Sequence, residues 1–396
     1  MAQQQICGWE TGNSREQVSA TGTTSQVAGA ARSGDFGLRI NPTGAAQGFV
    51  QVGGVRATIG DTTATALNSG TLYFLFALRI VTAPAASSEE FFGVYGQGGS
   101  VMLRGRVNSD RTLGFYSAGT TLLATSTYVV PSNTWVAIGI KHPIGTASTA
   151  CEVKIYTISA DGSAATLQET VACTGDFSYD GTNPGSIALG KVNNRNSQDI
   201  DLHYDDLIID DAAYPSLQRV LRLDPDSNGD TFDWSANPNP GAGSEWSNLD
   251  DNPHDSDTTY CNSSTSGQIA LTGFETLANA GAAGVLSIGS VKLTAIVRDE
   301  GTGGENIIFR IRSGAANSSS TGSDPGASYT GRFRHLSADP ATVGVWTESS
   351  VNAVQGGVVN NANVAVRSTQ HAMMVAYVQS AGASDDMNRL LLLGVG

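Results

Sequence analysis

The sequence predicts an all-β protein made of two sandwiches in tandem, and three observations predict it. Charged residues are only 15% of the 396 while glycine numbers 47, and Ser, Thr, Ala and Asn fill much of the rest, a composition that favours strands and turns over helices. Short apolar runs alternate with polar or small residues and are separated by Gly, Pro, Asn, Asp or Ser clusters, as in antiparallel sheets with one buried face. The chain is also too long for one ordinary sandwich and suits two domains, each large enough to bury its own core.

In the first domain, 1–213, the alternation marks strands around 6–9 and 36–40 and then at 71–81, 91–96, 100–107, 112–119, 134–142, 152–158, 186–192 and 201–210. So many short strands favour a jelly roll over an immunoglobulin-type sandwich. At 214–220 the chain leaves LIIDD for YPSLQRVLRL, and 214–266 reads as a linker and extended Asp/Asn/Gly-rich loop. Trp234 and Trp246 argue that this loop is ordered, with its indoles packed on the edge of the next domain. A smaller β-sandwich, 267–396, follows with strands at 267–274, 285–299, 306–314, 329–336, 343–349, 359–369 and 372–380. Short helical turns are expected at 215–221 or 275–280, and no fixed-period repeat is present.

Twenty-two basic against 36 acidic side chains give a net charge of -14, which repels phosphate backbones and argues against a nucleic-acid partner. Cysteines at 7, 151, 173 and 261 form no C-x-x-C, so free thiols are expected, with Cys151 and Cys173 placed to face each other across neighbouring strands. The start MAQQQICGWETG has neither a basic n-region nor an apolar h-region, and no apolar run reaches membrane length. These features predict a protein made in the cytoplasm with no membrane partner.

Three stretches hold candidate chemistry. Asp224, Asp226, Asn228, Gly229 and Asp230 follow the first half of an EF-hand loop, but the twelfth position is Ser235 and neither flank has helical periodicity. A looser cation loop and a plain surface turn remain. On the strand at 201–210, Asp199, Asp201, His203 and Asp205 fall on one face and Ile200, Leu202 and Tyr204 on the other. Asp201 and Asp205 lie about 13 Å apart along a strand, too far for an acid and nucleophile pair. Carboxylates two residues apart are close enough, which keeps glycan hydrolysis open as a minor alternative. There is no G-x-S-x-G elbow or phosphate-binding glycine pattern, and the histidines at 142, 203, 254, 335 and 371 are scattered.

Two resemblances add to this. ICGWETG (6–12), ARSGDFGLRINPTG (31–44) and LHYDDLIIDD (202–211) stand in the order found in concanavalin A-like, laminin G-type jelly rolls, which the first domain resembles. That resemblance implies a structural calcium ion held by Glu10 and Asp205 with Asp35; the competing reading has Glu10 and Asp205 accept hydrogen bonds from backbone amides at strand ends. The run 220–261 resembles a segment of tailed-bacteriophage virion proteins through Leu223, Pro225, Gly229, Asp230, Trp234, Asp250, Asp251, Pro253, Asp255, Asp257, Thr258, Thr259 and Tyr260, with His254 departing from the pattern. It implies a non-enzymatic virion structural protein of the tail or capsid exterior, assembled in the host cytoplasm. Its partners would be other virion proteins, further copies of itself and a host-surface glycan. The alternatives are a carbohydrate-binding adhesin, stacking sugars on Phe91, Phe92, Tyr95 or Tyr116 unless these are core, and a glycan-depolymerising enzyme on Asp199–Asp205.

Overall fold

The computed structural model describes residues 3–11, 19–53, 70–96, 101–117, 121–144, 150–159, 162–175, 177, 184–192, 196–282, 284–300 and 306–380. Four antiparallel sheets form two sandwiches, so the all-β expectation holds. In the first, an eight-stranded sheet runs Ala165–Thr174, Ala150–Ile158, Trp135–Ile144, Gly70–Thr82, Asp201–Asp210, Gly37–Ile40, Thr24–Val27, with Gln3–Cys7 also paired to Asp201–Asp210. Its seven-stranded partner runs Leu122–Thr125, Leu113–Ser117, Val101–Val107, Glu89–Gly96, Pro184–Lys191, Gly48–Gly53, Ser19–Gly22. Phe74, Phe76 and Leu78 from one sheet meet Phe92, Val94, Leu103 and Phe115 from the other in a solvent-free core. Each such side chain contributes roughly 1.5–3 kcal/mol by leaving water.

The second sandwich pairs a six-stranded sheet with a five-stranded one. The six-stranded sheet runs Ser235–Asn237, Tyr260–Ser263, Val366–Gln379, Val285–Asp299, Thr330–Leu336, with Arg219–Leu223 also on Val366–Gln379. The five-stranded sheet runs Pro225–Phe232, Ile269–Phe274, Gln355–Asn360, Ile307–Ser313, Ala316–Ser319. Segment 214–266, expected as linker and loop, therefore contributes strands to both sheets. Trp234 sits inside the core, its indole N–H donating to the Gln268 carbonyl at 3.2 Å.

The two sandwiches meet sheet against sheet. Ile6 and Ile208 on the outer face of the eight-stranded sheet pack on Val220, Ala372, Met374 and Ala376 of the six-stranded one. Polar contacts close the seam: Lys292 Nζ donates to the Ile6 carbonyl at 2.6 Å, Ser290 Oγ to Gln3 Oε1 at 2.6 Å, and Gln3 Nε2 to Gln218 Oε1 at 2.9 Å. The sheets thus stack in the order seven, eight, six and five strands.

Two local expectations are corrected. The helical turn sought at 215–221 overlaps the strand Arg219–Leu223. The strand sought at 343–349 is a turn followed by a short helix, Glu348–Val351, whose N-terminus carries a capping box between Thr347 and Ser350. The alternation in VGVW arises because Trp346 is buried and donates to the Leu336 carbonyl, while Val343 and Val345 point into solvent. Cys151 and Cys173 do stand directly opposite each other on paired strands, as free thiols. No helix among the described residues is long and apolar enough to cross a membrane.

Val343 has φ +57° and is 86% exposed, so a β-branched residue occupies left-handed backbone with no packing in return. Val343→Gly is expected to stabilise the protein by about 1 kcal/mol. A raised chemical-denaturation midpoint checks this, and an unchanged or lowered one contradicts it.

Candidate functional site

The structure brings the three residues of the expected calcium set to one corner. The strand Asp201–Asp210 carries a bulge: Asp205 pairs with Ala77 and Ile208 with Leu75, and the intervening Asp206 has φ +52°. One Asp205 oxygen accepts from the amides of Arg32 (2.6 Å) and Ser33 (3.1 Å), and the other from the Asp206 amide (2.8 Å). Burial, then the adjacent Asp206 charge, pushes Asp205 well above the ordinary carboxylate range. Glu10 Oε2 accepts from the amides of Asp35 (2.7 Å) and Phe36 (3.3 Å). Gly34 between them has φ +63°, and a Cβ there would collide with the Glu10 carboxylate. Asp35 is exposed and enters through its backbone. Among the described residues, no group of three or more His, Cys, Asp or Glu is placed to hold a metal ion.

Asp206 completes the corner. Its carboxylate takes Arg32 Nε at 2.5 Å, Ser33 Oγ at 2.6 Å and the Val220 amide at 2.6 Å, while Arg32 also donates to the Gln218 carbonyl at 2.6 Å. The buried Arg32–Asp206 pair, just before the SGDFG loop, is thereby hydrogen-bonded to Gln218 and Val220, where the second sandwich begins.

Other sequence candidates are occupied structurally. Asp199 accepts from the Gly44 amide at 2.6 Å, and Asp201 takes Arg39 in a two-pronged pair at 3.1 and 2.8 Å. Trp135, Arg79, His203 and Arg39 form one transverse row across four strands of the eight-stranded sheet. Burial first, then Arg79, lowers His203 to about 4. The oxygens of 224–230 diverge: Asp226 takes Ser227 Oγ, Asn228 meets Glu245 and the Trp246 amide, and Asp230 pairs with Arg312 at 2.9 Å. In DSDTTY, Thr259 Oγ1 lies between Asp251 (2.5 Å) and Asp255 (3.0 Å), and Asp257 is held by Arg367, Arg298 and Tyr329.

The outer face of the seven-stranded sheet gathers side chains the sequence reading did not connect. Gln51, Ala188, Gly93, Arg104 and Tyr116 stand in register across five strands. Glu90 and Arg104 form an ion pair at 2.5 Å, both buried. The rings of Tyr95 and Tyr116 lie down over Gly93 and Gly114, where an added Cβ would come within 2.9 and 3.0 Å of them. Of the four aromatics named for sugar stacking, Phe91 and Phe92 are core, Tyr95 is buried on this outer face against Ala188 and Val192, and Tyr116 is half-buried beside it. The signal was legible in SVMLRGRV, whose alternation puts Arg104 and Arg106 on one face.

No protein family and no curated protein matches the sequence. Solved structures similar to it include Cellulose induced protein, Cip1 (17% identity, 53% of this chain and 93% of that one, TM-score 0.34). They also include lectin II from Ulex europaeus (10%, 52% and 98%, TM-score 0.33) and a GH131 β-glucanase catalytic domain from Podospora anserina (16%, 49% and 81%, TM-score 0.31). These solved structures are lectin-like, jelly-roll β-sandwich folds, each 17% identical to this chain or less. A lectin and a catalytic domain share that company, so the expectation that the chain is not an enzyme is withdrawn. No virion protein is among the three, and that resemblance rests on the sequence motifs alone.

Three outcomes are expected. Asp206→Ala leaves Arg32 buried without its charge partner and should cost about 3–5 kcal/mol in denaturant unfolding, whereas Asp201→Asn, at a pair with a half-open Arg39, should cost about 1 kcal/mol or less. Because backbone amides already engage Glu10 and Asp205, a chelator should leave the melting temperature unchanged; a drop would restore the calcium set. Burial holds His142, beside Phe177, at about 4 in the fold against about 6.5 unfolded. The neutral ring's contribution is then fully present above pH 6.5 and lost as pH falls toward 4. His142→Phe should flatten the fall in stability across that window.

Proposed function

We propose that this chain is a glycan-binding protein whose ligand lies along the outer face of the seven-stranded sheet. The observation that carries the reading is the strip formed by Tyr95, Glu90, Arg104 and Tyr116. A sugar ring has an apolar C–H face that packs on an aromatic ring and an edge of hydroxyls that wants oriented donors and acceptors. The glycines beneath Tyr95 and Tyr116 let both rings lie along the sheet. The Glu90–Arg104 pair holds its charged groups rigidly beside them. The company of lectin-like and glycan-cleaving folds agrees with a glycan-related role. On a virus particle, as the motifs between 220 and 261 imply, the ligand would be a host-surface glycan.

A glycan array on the purified full chain, followed by calorimetric titration of the best binder, tests this. Tyr116→Ala should weaken binding about tenfold, the worth of one stacking contact, with little change in melting temperature. Silence across the array, or binding indifferent to Tyr116→Ala, would overturn the reading.

A further inference from the structure

On the same face, among the described residues, one guanidinium has no carboxylate of its own. Arg106 pairs in register with Glu90 on one side and Gly114 on the other, and its guanidinium lies 3.9 Å over the Tyr116 ring. The residue is 7% exposed. Its Nε and Nη2 atoms are buried and have no hydrogen-bond partner among the described residues. The nearby carboxylate of Glu90 is engaged by Arg104 at 2.5 Å. Among the described residues one acid thus faces two guanidinium groups, in a setting where an unmatched charge and two unmade hydrogen bonds are both costly. Contrast the row on the eight-stranded sheet, where Asp201 accepts both prongs of Arg39 and flanks His203 at 3.3 Å.

We propose that Arg106 is an anion subsite that takes the carboxylate of an acidic sugar, a uronic acid unit of the bound glycan. The inference rests on the glycan-binding reading and sharpens it to a substrate class. Nε and Nη2 form one edge of the planar guanidinium, the edge that meets both oxygens of a carboxylate in two parallel hydrogen bonds. Tyr116 fixes the plane of that fork, so the carboxylate arrives in the plane of the guanidinium and the attached sugar ring lies beside the aromatic strip. A neutral glycan would leave both donors unmade, and the site would discriminate against it for that reason.

The test is calorimetric titration of the full-length protein with a galacturonate oligosaccharide and with the same oligosaccharide after reduction of its carboxyl groups. The acidic form should bind at least about tenfold more tightly, and added salt should erode the difference. Arg106→Gln should bring the ratio of the two affinities close to one, and Arg106→Lys should restore part of it. Equal binding of both forms by the wild-type protein, or a preference that survives Arg106→Gln, overturns the subsite while leaving glycan binding intact. Binding of neither oligosaccharide while other sugars bind also overturns it; no sugar binding at all overturns the glycan reading beneath it. A polyglutamate chain that binds as tightly as the galacturonate overturns the assignment to a sugar. Should Arg106→Gln fail to fold, the Arg106 Nε–Hε resonance of the wild-type protein decides: it should move on addition of the galacturonate oligosaccharide and stay in place with the reduced one, and no movement contradicts the proposal.

Discussion

Two adjacent carboxylates, Asp205 and Asp206, hold this architecture together. A bulge brings two consecutive side chains of one strand to the same corner, where a regular strand would point them to opposite faces. Asp205 gathers the amides of the SGDFG loop, and Asp206 pairs with Arg32 and receives the first amide hydrogen bond of the second sandwich at Val220. Both carboxylates and Arg32 are buried, so each depends on the others being present. The corner fixes where the second sandwich begins, and with it the seam in which Ile6, Ile208 and Met374 pack. Because that seam covers part of the eight-stranded sheet, the seven-stranded sheet lies at the end of the four-layer stack.

The two outer surfaces of the first sandwich differ in how the donors of their second arginine are engaged. Across the eight-stranded sheet, Asp201 takes Arg39 and flanks His203, while Arg79 donates to the Gly29 carbonyl and stacks 4.9 Å over Trp135. Across the seven-stranded sheet, Glu90 answers Arg104, and among the described residues Arg106 has the Tyr116 ring alone. A protein that needed its surface merely to stay folded would lose nothing by replacing a buried, unmatched arginine with an apolar residue. Its presence beside two flattened tyrosines is the physical ground for placing an anionic group of the ligand there.

The long strands were legible because their alternation is strong. The runs 201–210 and 285–299 match the observed strands end to end. Short edge strands such as Ser19–Gly22 and Leu122–Thr125 were missed, because four residues of Ser, Thr, Gly or Leu carry no readable period. Pro225–Phe232 looked like a loop because its pairing with Ile269–Phe274 is irregular and its Asp, Asn and Ser side chains face solvent or polar neighbours such as Glu245 and Arg312. The motif LHYDDLIIDD pointed to the corner, and the break in alternation between Tyr204 and Leu207 marks the bulge; that backbone amides would be the partners depends on the path of residues 32–36, far away in sequence. Arg104 and Arg106 were visible as a same-face pair, but their burial and the engagement of Glu90 exist only once the strands are assembled.

The most direct test of the central claim, that a glycan occupies the outer face of the seven-stranded sheet, is hydrogen–deuterium exchange of the full chain with and without a saturating glycan ligand. The account predicts new protection in peptides covering Glu89–Gly96, Val101–Val107 and Leu113–Ser117. Protection confined to Thr24–Val27 and Gly37–Ile40, or to the second sandwich, would contradict it.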